Sequence, residues 1–241
     1  MRSLKDLKER VWKCNLALYE QGLVKETFGN VSGLDRESGI FAIKPSGIQY
    51  KELQPEDIVL VDLDNNVIEG ILNPSSDTKT HIVLYKAFPK INGVAHTHST
   101  FATAWAQAKL PIPCLGTTHA DFIQGDIPCT NDLTKVQINS DYEIETGNKI
   151  IERLNSVSYS DVKMILVAGH APFTWGLDPE EALKNTIILE EIAKLAYLTI
   201  KINPLVNSLS DDLLNKHYLR KHGDKAYYGQ RKKIKFGEDN V

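Results

Sequence analysis

The sequence predicts a single-domain α/β fold. Two observations carry that expectation. Stretches with apolar residues at three- and four-residue steps interleave with short apolar runs bounded by turn residues. No internal repeat, low-complexity tract or linker divides the 241 residues, a length within reach of one large domain with a sizeable core.

The elements follow in order. SLKDLKERVWKCNLALYEQG reads as an amphipathic helix, with Leu4, Leu7, Val11, Cys14 and Leu18 on one face. Ser3 with Asp6 is a variant of the N-terminal capping box, and Gly22 supplies a C-terminal stop. GIFAIKP (39–45), DIVLVD (57–62) and NVIEG (66–70) read as strands, with a turn over Asp64, Asn65 and Asn66 between the last two. In PSSDTKTHIVLYKAFP, Ser76 or Asp77 can cap a helix that runs to about Phe88, and Pro89 closes it. NGVAHTHS is a strand ending in a loop, and 99–108 is a short helix. MILVAGHAPFTWG (164–176) is a buried strand, a loop and a second strand. DPEEALKNTIILEEIAKLAYLTIKIN is a long helix whose acids sit in the first turn, as the helix dipole favours. A last helix spans about 209–222.

Composition narrows the function classes. A net charge of -3 leaves no basic footprint for nucleic acid, and the RKKIK cluster at 231–235 reads as a solvated tail. No apolar run reaches the length of a membrane span, and MRSLKDLKERVWK is charged and periodic, unlike a signal peptide. Cys14, Cys114 and Cys129 are odd in number and far apart, which argues for free thiols rather than a disulfide framework. A cytoplasmic protein is expected.

Two of the seven histidines, His96 and His98, stand one residue apart in GVAHTHS. On a strand, residues i and i+2 face the same side, roughly 7 Å apart, so both imidazoles can converge on one divalent ion. His170 follows an apolar strand in LVAGHAPF and is a third ligand candidate; a backbone carbonyl could equally satisfy it. Asp77 is a fourth, with helix capping as its other reading. His81, one helical turn on, shares a face with Asp77, and spacing does not decide between them. A second kind of site is suggested by KPSG and PSSD. Ser46, Gly47, Ser75 and Ser76, with Gly29 and Asn30, lie in short polar loops whose hydroxyls and backbone N–H groups can cradle phosphate.

TFGNVS, IKPSG, PSSDTKTH, HTHS, GTTHADF, ETGN, GHAPFTWG and HYLRKHGDKAYYGQ occur in this order. Together they resemble the L-ribulose-5-phosphate 4-epimerases of the class II aldolase and adducin-head superfamily, from about residue 4 to Gln230. The resemblance implies a domain over 1–230 with a polar tail at 231–241, and a three-layer α/β/α fold around a central, mostly antiparallel sheet. It also implies a fourfold cyclic tetramer. It implies a metal site of Asp77, His96, His98 and His170, most simply for zinc, with manganese and cobalt admitted by the same ligands, and returns His81 to a structural role. It assigns Gly29, Asn30, Lys44, Ser46, Gly47, Ser75 and Ser76 to a phosphorylated ketopentose. Asp121 and Tyr228 match an acid/base pair contributed by the neighbouring subunit. Thr117, Glu143 and His217 match supporting positions.

The chemistry can be argued from such a substrate. The C4 hydrogen of L-ribulose 5-phosphate is not next to the carbonyl, so direct proton removal is hard. Retro-aldol cleavage of C3–C4, with a divalent ion as Lewis acid, followed by re-addition to the other aldehyde face, inverts C4. Two acid/base groups are needed, one for each face. Superfamily aldolases acting on fuculose or rhamnulose 1-phosphate resemble the chain around HTH, but carry a longer Glu, as acid/base, where this chain has Asp77. An adducin-head-like binding module would keep the fold without catalysis, and retention of all four candidate ligands argues against it.

Overall fold

A computed structural model describes residues 3–155 and 157–229; the 231–241 tail lies outside them. The chain runs α1 (Leu4–Glu20), β1 (Asn30–Asp35), β2 (Ile40–Ile43), β3 (Val59–Asp62), β4 (Val67–Glu69), α2 (Thr78–Ala87), β5 (Gly93–His96), α3 (Thr100–Ala108), α4 (Thr117–Ala120), α5 (Lys135–Ile138), α6 (Tyr142–Leu154), β6 (Met164–Leu166), β7 (Pro172–Gly176), α7 (Pro179–Ile202) and α8 (Asp211–His222). The seven strands form one sheet in the order β4-β3-β2-β1-β5-β7-β6. Every neighbouring pair is antiparallel. Among the described residues, no helix is long and apolar enough to cross a membrane.

Alternation along the strands builds the three layers. Val31, Ala42, Leu60 and Ala95 point to one face, where they join the apolar stripes of α1 and the start of α7. Phe41, Ile43, Val59, Val61, Val94, Phe173 and Trp175 point to the other and pack with Ile82, Leu84 and Tyr85 of α2. Arg36, in the β1–β2 turn, holds α2 down: its Nη2 donates to the carbonyls of Tyr85, Phe88 and Ile91, at and just beyond the helix end, at 3.1, 2.8 and 2.7 Å. Gly93 lets the start of α7 approach the sheet, because a Cβ there would collide with the Asp178 carbonyl.

Most of the expected elements form within a residue or two of their expected bounds, and Ser3 accepts from the Asp6 N–H at 3.2 Å as its capping role requires. Four elements had no sequence expectation: β1, the short helices α4 and α5, and α6. NVSGLD forms β1 at the sheet centre, where buried Asn30 and Ser32 replace the apolar residues a central strand normally shows. YEIETGNKIIERL forms α6, which packs along α2 with Gly147 against Val83. The capping reading of Asp77 does not hold: it occupies the N-cap position, but its side chain makes no capping bond. His81 is wholly buried, its Nδ1 2.7 Å from Ser32 Oγ, which in turn lies 2.7 Å from Tyr85 Oη. Burial pushes the His81 imidazole down to about 3 against the opposing pull of Asp77, so it is a neutral structural tie between α2 and β1.

Asn15 ties α1 to β1. Its Nδ2 donates to the carbonyls of Val11 and Val31 at 2.8 and 2.9 Å, and its Oδ1 accepts from the Val31 N–H at 2.9 Å, all out of water. Asn15→Ala strands both backbone groups of Val31. It should cost about 3 kcal/mol of stability in urea denaturation at fixed protein concentration; a loss below about 1 kcal/mol would show that the amide is not the tie.

Candidate functional site

β5 ends at His96, on the face of the sheet that carries α2. The chain continues through Thr97 to His98, and the two rings sit 4.9 Å apart with their Nε2 atoms at 3.2 Å. His170 arrives from the β6–β7 loop, its ring 4.9 Å from that of His96 and 5.1 Å from that of His98. One ligand atom from each of the three lies within 4.8 Å of the others. The Nδ1 of His96 donates to the Pro172 carbonyl at 2.9 Å, which leaves its Nε2 lone pair for the cluster. Phe173 stacks beneath that ring at 4.2 Å. Burial, then the neighbouring imidazoles, push His98 below its ordinary value and His170 down to about 4. Three rings with convergent nitrogens, two of them disfavoured as cations by burial, fit a divalent cation.

Asp77 lines the same cavity but stands outside the close group of three. Burial works against its charge. His96, His81, the Asn30 bond and His170 outweigh that and hold the carboxyl below its usual range. Its Oδ2 accepts from Asn30 Nδ2 at 2.7 Å, and the same amide donates to Ser75 Oγ at 3.1 Å. Asn30 therefore sits one layer behind the wall, 1% exposed, with its Oδ1 unpartnered.

The phosphate-type loops meet here although nearly thirty residues separate them. Ser46 N–H donates to the Asn73 carbonyl at 2.9 Å and Ser75 N–H to the Lys44 carbonyl at 3.1 Å, so KPSG and PSSD are clasped side by side. Ser46, Gly47, Ser75 and Ser76 line a cavity of about 270 Å³ together with Gly29, Lys44, Asp77 and the three histidines. Gly29 has φ 78°, and a Cβ there would strike the His96 carbonyl. Lys44 is 1% exposed; its Nζ reaches only the carbonyls of Thr27 and Pro45, both at 3.4 Å, and the Tyr50 ring. Burial pulls the amine down to about 8, and among the described residues no carboxylate lies within ion-pair distance. A buried ammonium so poorly compensated favours an anionic occupant.

Asp121 and Tyr228 lie elsewhere, beside one another in a separate cavity of about 490 Å³. The Asp121 carboxylate accepts from Arg220 Nε and Nη2 at 3.0 and 2.8 Å and from His217 Nδ1 at 3.0 Å, with Lys221 Nζ at 3.2 Å. Against its burial, these partners hold it below the ordinary carboxylate range. Tyr228, 60% exposed, lies under Arg220 at 4.9 Å and Lys221 at 4.4 Å. Within one chain the structure brings the three histidines and the polar loops together, and brings Asp121 and Tyr228 together, but does not join the two groups. Of the supporting positions, Glu143 lines the histidine cavity and His217 binds Asp121. Thr117 lies in neither cavity, lining a third beside α7. Thr27, Phe28 and Tyr142 also line the histidine cavity, and nothing in their spacing signalled it.

Comparison with known proteins bears on the family and the fold. L-ribulose-5-phosphate 4-epimerase UlaF of Salmonella paratyphi C (strain RKS4594) is 50% identical over 228 residues, covering 95% of this chain and all of the relative. Among solved structures, an L-fuculose 1-phosphate aldolase superposes with a TM-score of 0.74 at 26% identity, covering 88% of this chain and 94% of its own. YgbL of Klebsiella pneumoniae, described as a putative aldolase/epimerase/decarboxylase, has a TM-score of 0.69 at 25% identity, covering 87% and 96%. Residues 9–197 match the Class II Aldolase and Adducin N-terminal domain family, and the chain belongs to that family.

Proposed function

We propose that the protein interconverts L-ribulose 5-phosphate and D-xylulose 5-phosphate, as a metal-dependent 4-epimerase that breaks and remakes C3–C4. The observation that carries this reading is the shared cavity: three convergent imidazoles stand beside a buried Lys44 and two clasped serine loops. A cation site and an anion site are thus set side by side, as a phosphorylated ketose requires. The relative at 50% identity is named for this reaction.

His96, His98 and His170, completed by Asp77, would hold a divalent ion, zinc first by donor chemistry. Bound there, the ion supplies Lewis-acid stabilisation of negative charge on the ketose oxygens. Asn30 fixes the Asp77 carboxylate through its amide. Lys44, Ser46, Gly47, Ser75 and Ser76 grip the phosphate and retain glycolaldehyde phosphate while it turns over. Asp121 and Tyr228 of a neighbouring subunit serve opposite faces of the aldehyde: one removes the C4 hydroxyl proton as C3–C4 breaks, and the other returns a proton after re-addition. Their distance from the histidines in one chain and the exposure of Tyr228 support a cyclic tetramer with shared sites. The buried free thiols of Cys14, Cys114 and Cys129 suit a reducing cytoplasm as the proposed location.

His98→Asn should lose most bound metal and most xylulose 5-phosphate formation. Full metal content by elemental analysis with normal turnover would refute the metal site.

Asp121→Asn and Tyr228→Phe should each lower kcat about a hundredfold or more with metal retained, while Tyr227→Phe serves as the control. Reassembling His96→Asn with Tyr228→Phe subunits should raise activity above either parent, because some sites regain both halves. Mixed tetramers seen by mass spectrometry with no regained activity would mean that Tyr228 acts within its own subunit.

A further inference from the structure

A metal-binding imidazole must present a bare nitrogen, so something has to hold the proton on the other one. For His96 that is the Pro172 carbonyl, which can only accept. Among the described residues, no such carbonyl meets the His170 ring. His170 sits on a tight loop closed by the Val167–Ala171 and His170–Val167 backbone bonds, both 3.0 Å, with Gly169 at φ 70°. Among the described residues, the one hydrogen-bond partner of the His170 ring is the Tyr142 hydroxyl, 3.3 Å from Nδ1.

We propose that Tyr142 is the positioning residue of this centre: its hydroxyl accepts from His170 Nδ1–H, so that Nε2 faces the ion. The proposal rests on the metal reading above. With Nε2 turned to a cation, Nδ1 must carry the proton and the phenol oxygen must accept it.

The fold places this hydroxyl with care. Tyr142 is the first residue of α6, directly after Asp141 at the N-cap position. Asp141 is bound by Lys79 Nζ at 2.6 Å, and Thr80 Oγ1 donates to the Glu143 carbonyl at 2.7 Å. Both partners lie in the first turn of α2, whose N-cap residue is Asp77. The α2–α6 contact therefore sets the reach of Asp77 and of Tyr142 toward the histidines together. Gly147 permits this approach, since a Cβ there would strike Val83.

The test is Tyr142→Phe, which keeps the ring and removes the oxygen. Zinc affinity, measured by chelator competition, should fall about tenfold, the lower end of losses seen when an outer partner of a metal ligand is removed. In histidine-¹⁵N-labelled, zinc-loaded protein the His170 Nδ1–H signal should shift and exchange faster with water. The His96 Nδ1–H signal, held by Pro172, should stay, which separates positioning from general loosening. Wild-type zinc affinity in Tyr142→Phe, or equal movement of both signals, would overturn the role of Tyr142 and leave the metal site standing. Absence of zinc uptake by the wild-type protein would sink the metal reading, and the positioning role with it.

Discussion

The pairing of β1 with β5 is the constraint on which the site depends. Its register sets Asn30 opposite His96. That register sends the Asn30 amide to Asp77 and Ser75 and leaves His96 facing Pro172 across the next pairing. A slip of one residue between the strands would put these two side chains on opposite faces of the sheet. Asn15 holds β1 from one side, and the Ser32–His81–Tyr85 chain holds it from the other. The most central strand is thus fixed by polar ties on both faces, in a region otherwise packed with apolar side chains.

Legibility of the sequence varied with the kind of signal. α1 and α7 carry long amphipathic periodicity, and β2, β3 and β7 are apolar runs bounded by turns, so their existence could be read from pattern alone. β1 could not, because NVSGLD buries asparagine, serine and glycine where a pattern reader expects valine or isoleucine. α6 opens on DYEIETGN, whose acids and glycine look like a loop until Gly147 is seen against Val83. His96 and His98 announced themselves by strand period. His170 and the serine loops needed the family resemblance, since each is ambiguous alone. Tyr142 and Phe28 entered the cavity through tertiary packing, which no local spacing encodes.

The chain also holds two polar clusters with opposite electrostatic problems. Around the histidines, burial strips protons from imidazoles and leaves Lys44 short of partners. Around Asp121, Arg220, Lys221 and His217 crowd one carboxylate and keep it ionised.

Lys44 makes the cavity a store of electrostatic work. The amine falls from 10.5 to about 8 on folding because burial disfavours its charge. A depressed lysine binds fewer protons folded than unfolded between those values, so the ligand-free fold gains stability as pH rises through that window and bears the full cost below about 8. An anion entering beside Lys44 repays that cost from outside the chain. Occupancy and thermal endurance are therefore linked: on the proposed reading, the substrate phosphate would complete a charge balance that the polypeptide leaves open.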